Sequence, residues 1–344
     1  MDATVLENLD KLFRQRILAL PASDQLVQEN SAFETMMADA PNPLHCEKLK
    51  TEEEWLAFRT LANGGGEAGA FLPENLKAWM RKGNARAENT TIPGPAGDLE
   101  MRMVKPEGEA KGALLHTHGG GWIMGTPKQF DCDHAMAADL SGLLVAVPNY
   151  RKAPQNPYPA AQDDCEAAAL WLIDYAKQRG IEKFFVQGKS AGGHLATATA
   201  IRMKHKHNFC FDGLVSEVPL HDFSNGLPSR KSGFGVDAEA CRQMSNAYIP
   251  DMNDKRNPDA SPLFFSNAEL ADLPTALFSC GERDGFRDDA LLMFLRWVQA
   301  GNSAYLLVAN GVGHNLPVTN AIESVVAQHA PIEFFNRCLS DEIQ

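Results

Sequence analysis

Apolar side chains recur three and four residues apart in LENLDKLFRQRIL (6–18), EEEWLAFRTLA (52–62) and LPENLKAWMRK (72–82), the spacing of one buried helix face. No alternating run interrupts them, and Gly64, Gly65 and Gly66 break the series. Residues 1–92 are therefore predicted to be a helical, cap-like region. After Pro93 the period changes. DLEMRMVKP (98–106) alternates, while ALLHTH (113–118) and LLVAVPNY (143–150) are short apolar runs closed by turn residues, so all three read as strands. Helix (162–180), strand (183–188), helix (190–206) and strand (212–218) follow. Residues 221 to about 257 are polar and rich in Gly, Pro and Ser, and are predicted to be a second cap segment. Alternation resumes with TALFSCG (275–281), a helix (287–301), SAYLLVAN (303–310) and a last helix after Pro317. Strands alternating with helices of this length imply an α/β domain over 93–344, with a mostly parallel sheet covered on both faces.

Composition narrows the function classes. A charge of −12 argues against nucleic acid or an anionic membrane as partner, since both recruit basic patches. The N-terminal sequence lacks a basic start followed by an apolar core, and no run approaches the ~20 apolar residues that span a bilayer. A cytoplasmic protein without membrane insertion is expected. The amphipathic cap helices are expected to pack on the core, or on a second copy in a homodimer, rather than on lipid. Seven cysteines without CxxC spacing suggest reduced thiols, neither a disulfide framework nor a zinc site.

Candidate chemistry begins at Gly188-Lys189-Ser190-Ala191-Gly192, where a predicted strand runs directly into a helix. Such a turn exposes the serine hydroxyl, and the helix N-terminus aims free N–H groups at developing negative charge. The alternative is a serine that only caps its helix. A serine nucleophile needs a base oriented by a carboxylate, each on a loop after a later strand. His314 follows the strand 303–310 and is the predicted base; Asp284 follows 275–281 and is the predicted acid. Asp284 could instead cap the 287–301 helix, leaving Asp288 or Glu282 to orient the base. His194, His205, His207 and His329 are read as structural or exposed. Upstream, HTHGGGWIMG carries Gly119, Gly120 and Gly121, whose N–H groups can join that of Ala191 around an oxyanion. Gly120 and Gly121 are the favoured donors, each worth about 3–4 kcal/mol in a transition state.

Taken together, HGGGW, GKSAGG and the late Asp and His resemble the hormone-sensitive-lipase-like branch of the α/β hydrolases. Tyr150-Arg151-Lys152-Ala153-Pro154, Pro157-Tyr158-Pro159-Ala160 and Asn257-Pro258-Asp259-Ala260-Ser261-Pro262-Leu263 are similar to that family as well, so the resemblance runs from about 95 to 338. It implies the α/β-hydrolase fold, carboxylesterase-type activity on a small-molecule ester, no cofactor or metal, and a pocket roofed by the N-terminal helices. Two residues depart from the family's pattern. Lys189 stands where an acid or small polar residue is usual, and Phe286 where leucine is common. Lys189 is expected to pair with Asp163, Asp164 or Glu217, or else to attract an acidic substrate. A lyase or dehydratase would keep the same loop and histidine for proton abstraction. A ligand receptor would have lost part of the triad, and Ser190 and His314 both remain.

Overall fold

A computed structural model describes residues 2–29, 46–63, 73–231, 233–314 and 321–343. The Gly64–Gly66 break and Pro317 lie outside them. The described strands form one sheet: β1 (Ile17–Leu20), β2 (Glu88–Gly94), β3 (Gly97–Val104), β4 (Gly112–Thr117), β5 (Leu143–Pro148), β6 (Phe184–Lys189), β7 (Gly213–Glu217), β8 (Ala276–Gly281) and β9 (Ala304–Ala309). Their order is β1-β9-β8-β7-β6-β4-β5-β3-β2. Pairing is parallel from β1 across to β5 and antiparallel at β5–β3 and β3–β2. Every residue of β4, β5, β7 and β8 is buried, as expected of strands covered on both sides.

The covering helices are α1 (Ala3–Gln15), α2 (Glu52–Ala62), α3 (Glu74–Arg86), α4 (Asp131–Ser141), α5 (Ala160–Lys177), α6 (Ala191–His207), α7 (Ala238–Tyr248), α8 (Arg287–Gln299) and α9 (Ile322–Leu339). On one face α5, α6 and α8 contribute Leu172, Ala196, Ile201, Phe294 and Trp297 to a core with Leu115, Val186 and Phe278. On the other, α1, α4 and α9 contribute Leu9, Leu12, Met136, Phe334 and Phe335, packed against Leu114, Val145 and Phe185. Burying a side chain of this size contributes about 1.5–3 kcal/mol. A third cluster lies over the carboxyl edge of the sheet. It joins Trp55 of α2 to Trp122, Tyr150, Phe223, Met244, Tyr248 and Phe286.

Three elements differ from the sequence expectation: β1 and most of β2, strands within the 1–92 region predicted as helical, and α4, where no helix was predicted. Residues 17–20 are a strand, not a continuation of the first helix: Arg16 closes α1 with φ 66, and its carbonyl accepts the Leu306 N–H at 2.8 Å. Pairing with β9 decides the conformation of this four-residue segment, and nothing local does. Helix α4 has no apolar stripe, because Asp131, Cys132, His134, Ala135, Met136, Ala137, Ala138 and Ser141 are all buried around its circumference.

Candidate active site

Ser190 sits at the hinge between β6 and α6 with φ 58 and ψ −122, a conformation rare outside glycine. Its N–H donates to Glu217 O at 2.8 Å, which ties the turn to the end of β7. The flanking glycines are steric requirements. A Cβ on Gly192 would collide with Thr117 O, and one on Gly188 with the Gly192 carbonyl. Thr117 Oγ1 in turn donates to Gly192 O at 2.7 Å.

The three sequence-predicted side chains meet. His314, on the loop after β9, has Nε2 2.8 Å from Ser190 Oγ and Nδ1 2.9 Å from Asp284 Oδ1. Asp284 is 1% exposed, and its Oδ1 also accepts the Phe286 N–H at 2.8 Å. A buried carboxylate facing Nδ1 makes that nitrogen the donor, so the Nε2 lone pair is left to receive the Ser190 hydroxyl proton. The competing acids are engaged elsewhere. Asp288 Oδ2 accepts the Ser229 N–H at 2.8 Å, and Glu282 Oε2 the Gly311 N–H at 3.1 Å. Phe286 packs its ring against the imidazole at 4.8 Å and 80°, with the Arg230 guanidinium 4.7 Å from its centroid. The His314 N–H donates to Phe234 O at 2.9 Å, so the second cap segment touches the base loop.

The glycine loop follows β4, beside the nucleophile turn. Gly120 (φ 126) and Gly121 (φ 57) hold left-handed conformations, and a Cβ on Gly121 would meet Met244 Sδ. Their N–H groups, like that of Ala191 in the first turn of α6, donate to no acceptor among the described residues. The Gly119 carbonyl faces His118 Nδ1 at 2.7 Å, and a Cβ there would stand 3.0 Å from Lys189 O. Buried side chains support this loop, among them His194, one of the histidines read as structural or exposed. His118 stacks on Tyr150 at 4.1 Å, and the Tyr150 hydroxyl donates to His118 O at 2.9 Å. Trp122 donates to His194 Nδ1 at 3.1 Å, while His194 Nε2 faces Ala260 O at 2.8 Å. Burial pushes His194 down to about 4, so it is a neutral strut joining α6, the glycine loop and the Asn257–Leu263 motif. Tyr150 and His118 lay within the quoted motifs, which is where a signal for them existed.

Lys189 pairs with Glu217, one of the three acids expected, and more closely with Asp133, which was not among them. Its Nζ is 3.0 Å from Asp133 of α4 and 4.0 Å from Glu217, whereas Asp163 pairs with Arg202 and Asp164 with Arg151. The sequence could not show that the first turn of α4 reaches the end of β6. Burial weakens the charge on Lys189, but Asp133 and then Glu217 outweigh it and raise its proton affinity. Burial pushes Glu217 up to about 6, against the pull of Lys189. Among the described residues no three His, Cys, Asp or Glu side chains are grouped as metal ligands, and no helix is long and apolar enough to cross a membrane.

Residues 114–318 match a family described by the alpha/beta hydrolase fold. The esterase LipI of Mycobacterium tuberculosis is 33% identical over 286 residues, 78% of this chain and 88% of its own. The ethyl acetate hydrolase of Pseudomonas putida is 29% identical over 286 residues, 75% of this chain and 89% of its own. Among solved structures, a hyperthermophilic esterase from Pyrobaculum calidifontis superimposes with TM-score 0.69 at 29% identity, covering 79% of this chain and 92% of that one. A thermostable esterase from Pseudomonas putida gives TM-score 0.78 at 23% identity over 94% and 99%. With these likenesses over its sheet and motifs, the chain belongs to the α/β-hydrolase family, in the hormone-sensitive-lipase-like branch, and is a carboxylic ester hydrolase.

Proposed function

We propose that Ser190, His314 and Asp284 form the catalytic triad of this hydrolase, with the N–H groups of Gly120, Gly121 and Ala191 as its oxyanion hole. The observation that carries this reading is the unbroken line of hydrogen bonds from Ser190 Oγ through His314 to a buried Asp284. His314 takes the hydroxyl proton as Oγ attacks the ester carbonyl, and Asp284 stabilises the imidazolium that forms. The carbonyl oxygen becomes an anion facing the three amides. Collapse breaks the ester C–O bond, His314 protonates the departing alcohol, and the acyl group stays on Oγ. Water, deprotonated by His314, then releases the acid by the same steps.

A short acyl group is the reading favoured by relatives named ethyl acetate hydrolase and acetyl esterase. The cap consists of α2 and the 221–257 segment, whose Trp55, Phe223, Met244 and Tyr248 share the cluster over the site. The chain works in the cytoplasm, a location supported by its seven free thiols. A panel of p-nitrophenyl esters from acetate to laurate tests the reading. Turnover should be greatest on the short and medium members and absent in Ser190→Ala. Equal rates from the two proteins would remove Ser190 from the chemistry.

A further inference from the structure

The glycine loop is a backbone under constraint. Between residues 120 and 125, Gly120 (φ 126), Gly121 (φ 57), Trp122 (φ 61) and Gly125 (φ 91) all lie at positive φ. Such a segment persists where its surroundings over-determine it. From within, Ile123 N and Met124 N close the turn on Gly120 O at 3.1 and 3.0 Å; from the segment after β5, Ala153 N donates to Trp122 O at 3.0 Å. The carbonyl of Ile123 and the N–H of Gly125 find their partners in side chains of α2 and its C-cap. Both are met by the cap: Arg59 Nε of α2 donates to Ile123 O at 2.7 Å, and Asn63 Oδ1, at the C-cap of α2, accepts the Gly125 N–H at 2.7 Å. Arg59 Nη2 also donates to Ala153 O at 2.8 Å, joining the glycine loop to the segment that follows β5. The guanidinium is thus placed on two backbone carbonyls that lie on adjacent loops.

We propose that Arg59 and Asn63 of the cap are positioning residues for the oxyanion hole, holding the 120–125 turn in the shape that presents the Gly120 and Gly121 N–H groups. The cap then does more than roof the pocket. It supplies two hydrogen bonds to the loop that stabilises the transition state, so an effect of the cap on rate need not pass through substrate affinity. The inference rests on the assignment of Gly120 and Gly121 as donors.

The test compares Arg59→Met, Arg59→Lys and Asn63→Ala with the unsubstituted enzyme on p-nitrophenyl acetate. It also measures inhibition by a trifluoromethyl ketone, whose adduct with the nucleophile places an oxyanion in the hole. Loss of a whole donor costs about 10²–10³ in kcat, so a loosened one should cost about 10–100-fold in Arg59→Met and Asn63→Ala. KM should stay within about twofold and the inhibition constant should rise by the same factor as kcat falls, the pattern of an interaction made in the transition state. Arg59→Lys should recover part of the loss, because an ammonium can reach one of the two carbonyls. Unchanged kcat, a loss confined to KM, or a fall in kcat without weaker ketone binding would each overturn the proposal. If Arg59→Met does not fold, Asn63→Ala decides alone. Gly121→Ala separates the two levels: if it keeps full kcat and ketone affinity, the donor assignment itself fails, whereas its loss beside intact Arg59→Met and Asn63→Ala defeats the clamp alone.

Discussion

At the scale of single residues, the site depends on which atom holds which proton. Asp284 fixes Nδ1 of His314 as a donor, and an amide in its place could turn its N–H toward the imidazole and reverse the tautomer. Asp284→Asn should therefore keep the fold and lose about 10⁴ in kcat, measured on protein whose circular dichroism matches the parent. A loss under tenfold would assign the orienting role elsewhere. Glu217 carries a different consequence. Its carboxyl, 3% exposed, is pushed up to about 6 from an ordinary 4.5, burial being the first cause. Its folded-state proton affinity exceeds the unfolded one, so its contribution to stability is full below about pH 4.5 and is lost as pH rises through about 6. Glu217→Gln cannot lose it. Between pH 4.5 and 7 the variant should gain on the parent by about 2 kcal/mol in urea unfolding, and a flat difference would show that Lys189 cancels the burial cost.

At the scale of elements, the turn from β6 to α6 shows why a short motif carries so much information. Gly192 touches the carbonyl of Thr117 and Gly188 that of Gly192, so neither position accepts a side chain, whatever the rest of the sequence does. Gly192→Ala should destabilise by roughly 3 kcal/mol or more, while Gly108→Ala, with open space around it, should stay within about 0.5 kcal/mol by thermal or urea unfolding. Similar midpoints for the two variants would contradict the close approach of β4 to the nucleophile turn. Ser190, Asp284, His314 and the glycine loop were legible because each chemical role ties a residue type to a strand end. The order of β6, β8 and β9 in sequence sufficed. What stayed hidden depends on contacts between distant segments: β1 exists through β9, α4 is buried all round, and Lys189 finds Asp133 on that unmarked helix. Arg59 and Asn63 belong to the same class. Their partners are backbone groups of residues some sixty positions away, which leave no trace in a pattern of side chains.

For the whole molecule, stability and chemistry occupy opposite regions of one sheet. The proposed catalytic groups sit on loops at the carboxyl edge, where parallel strands and helix N-termini converge. The two helical layers are anchored along the faces. Helix α1 is the clearest case: Leu9 and Leu12 are buried against α9 and the strands, and the chain then adds β1 alongside β9. That addition also covers a strand that would otherwise be an exposed parallel edge. Because Leu12 lies in the face cluster and not in the cluster over the site, removing it should weaken the fold without reaching the triad. Leu12→Ala removes a fully buried side chain and should cost about 2–5 kcal/mol, according to how far the neighbouring Phe13 and Phe334 relax into the space. On the folded fraction at 25 °C, kcat and KM for p-nitrophenyl acetate should remain within about twofold of the parent. A tenfold fall in kcat at preserved folding would show that the first helix reaches His314 through β1 and β9, because Asn310 N, four residues before the base, already donates to Leu20 O at 3.1 Å. The two outcomes separate a chain in which α1 only adds stability from one in which the N-terminal segment also sets the position of the base.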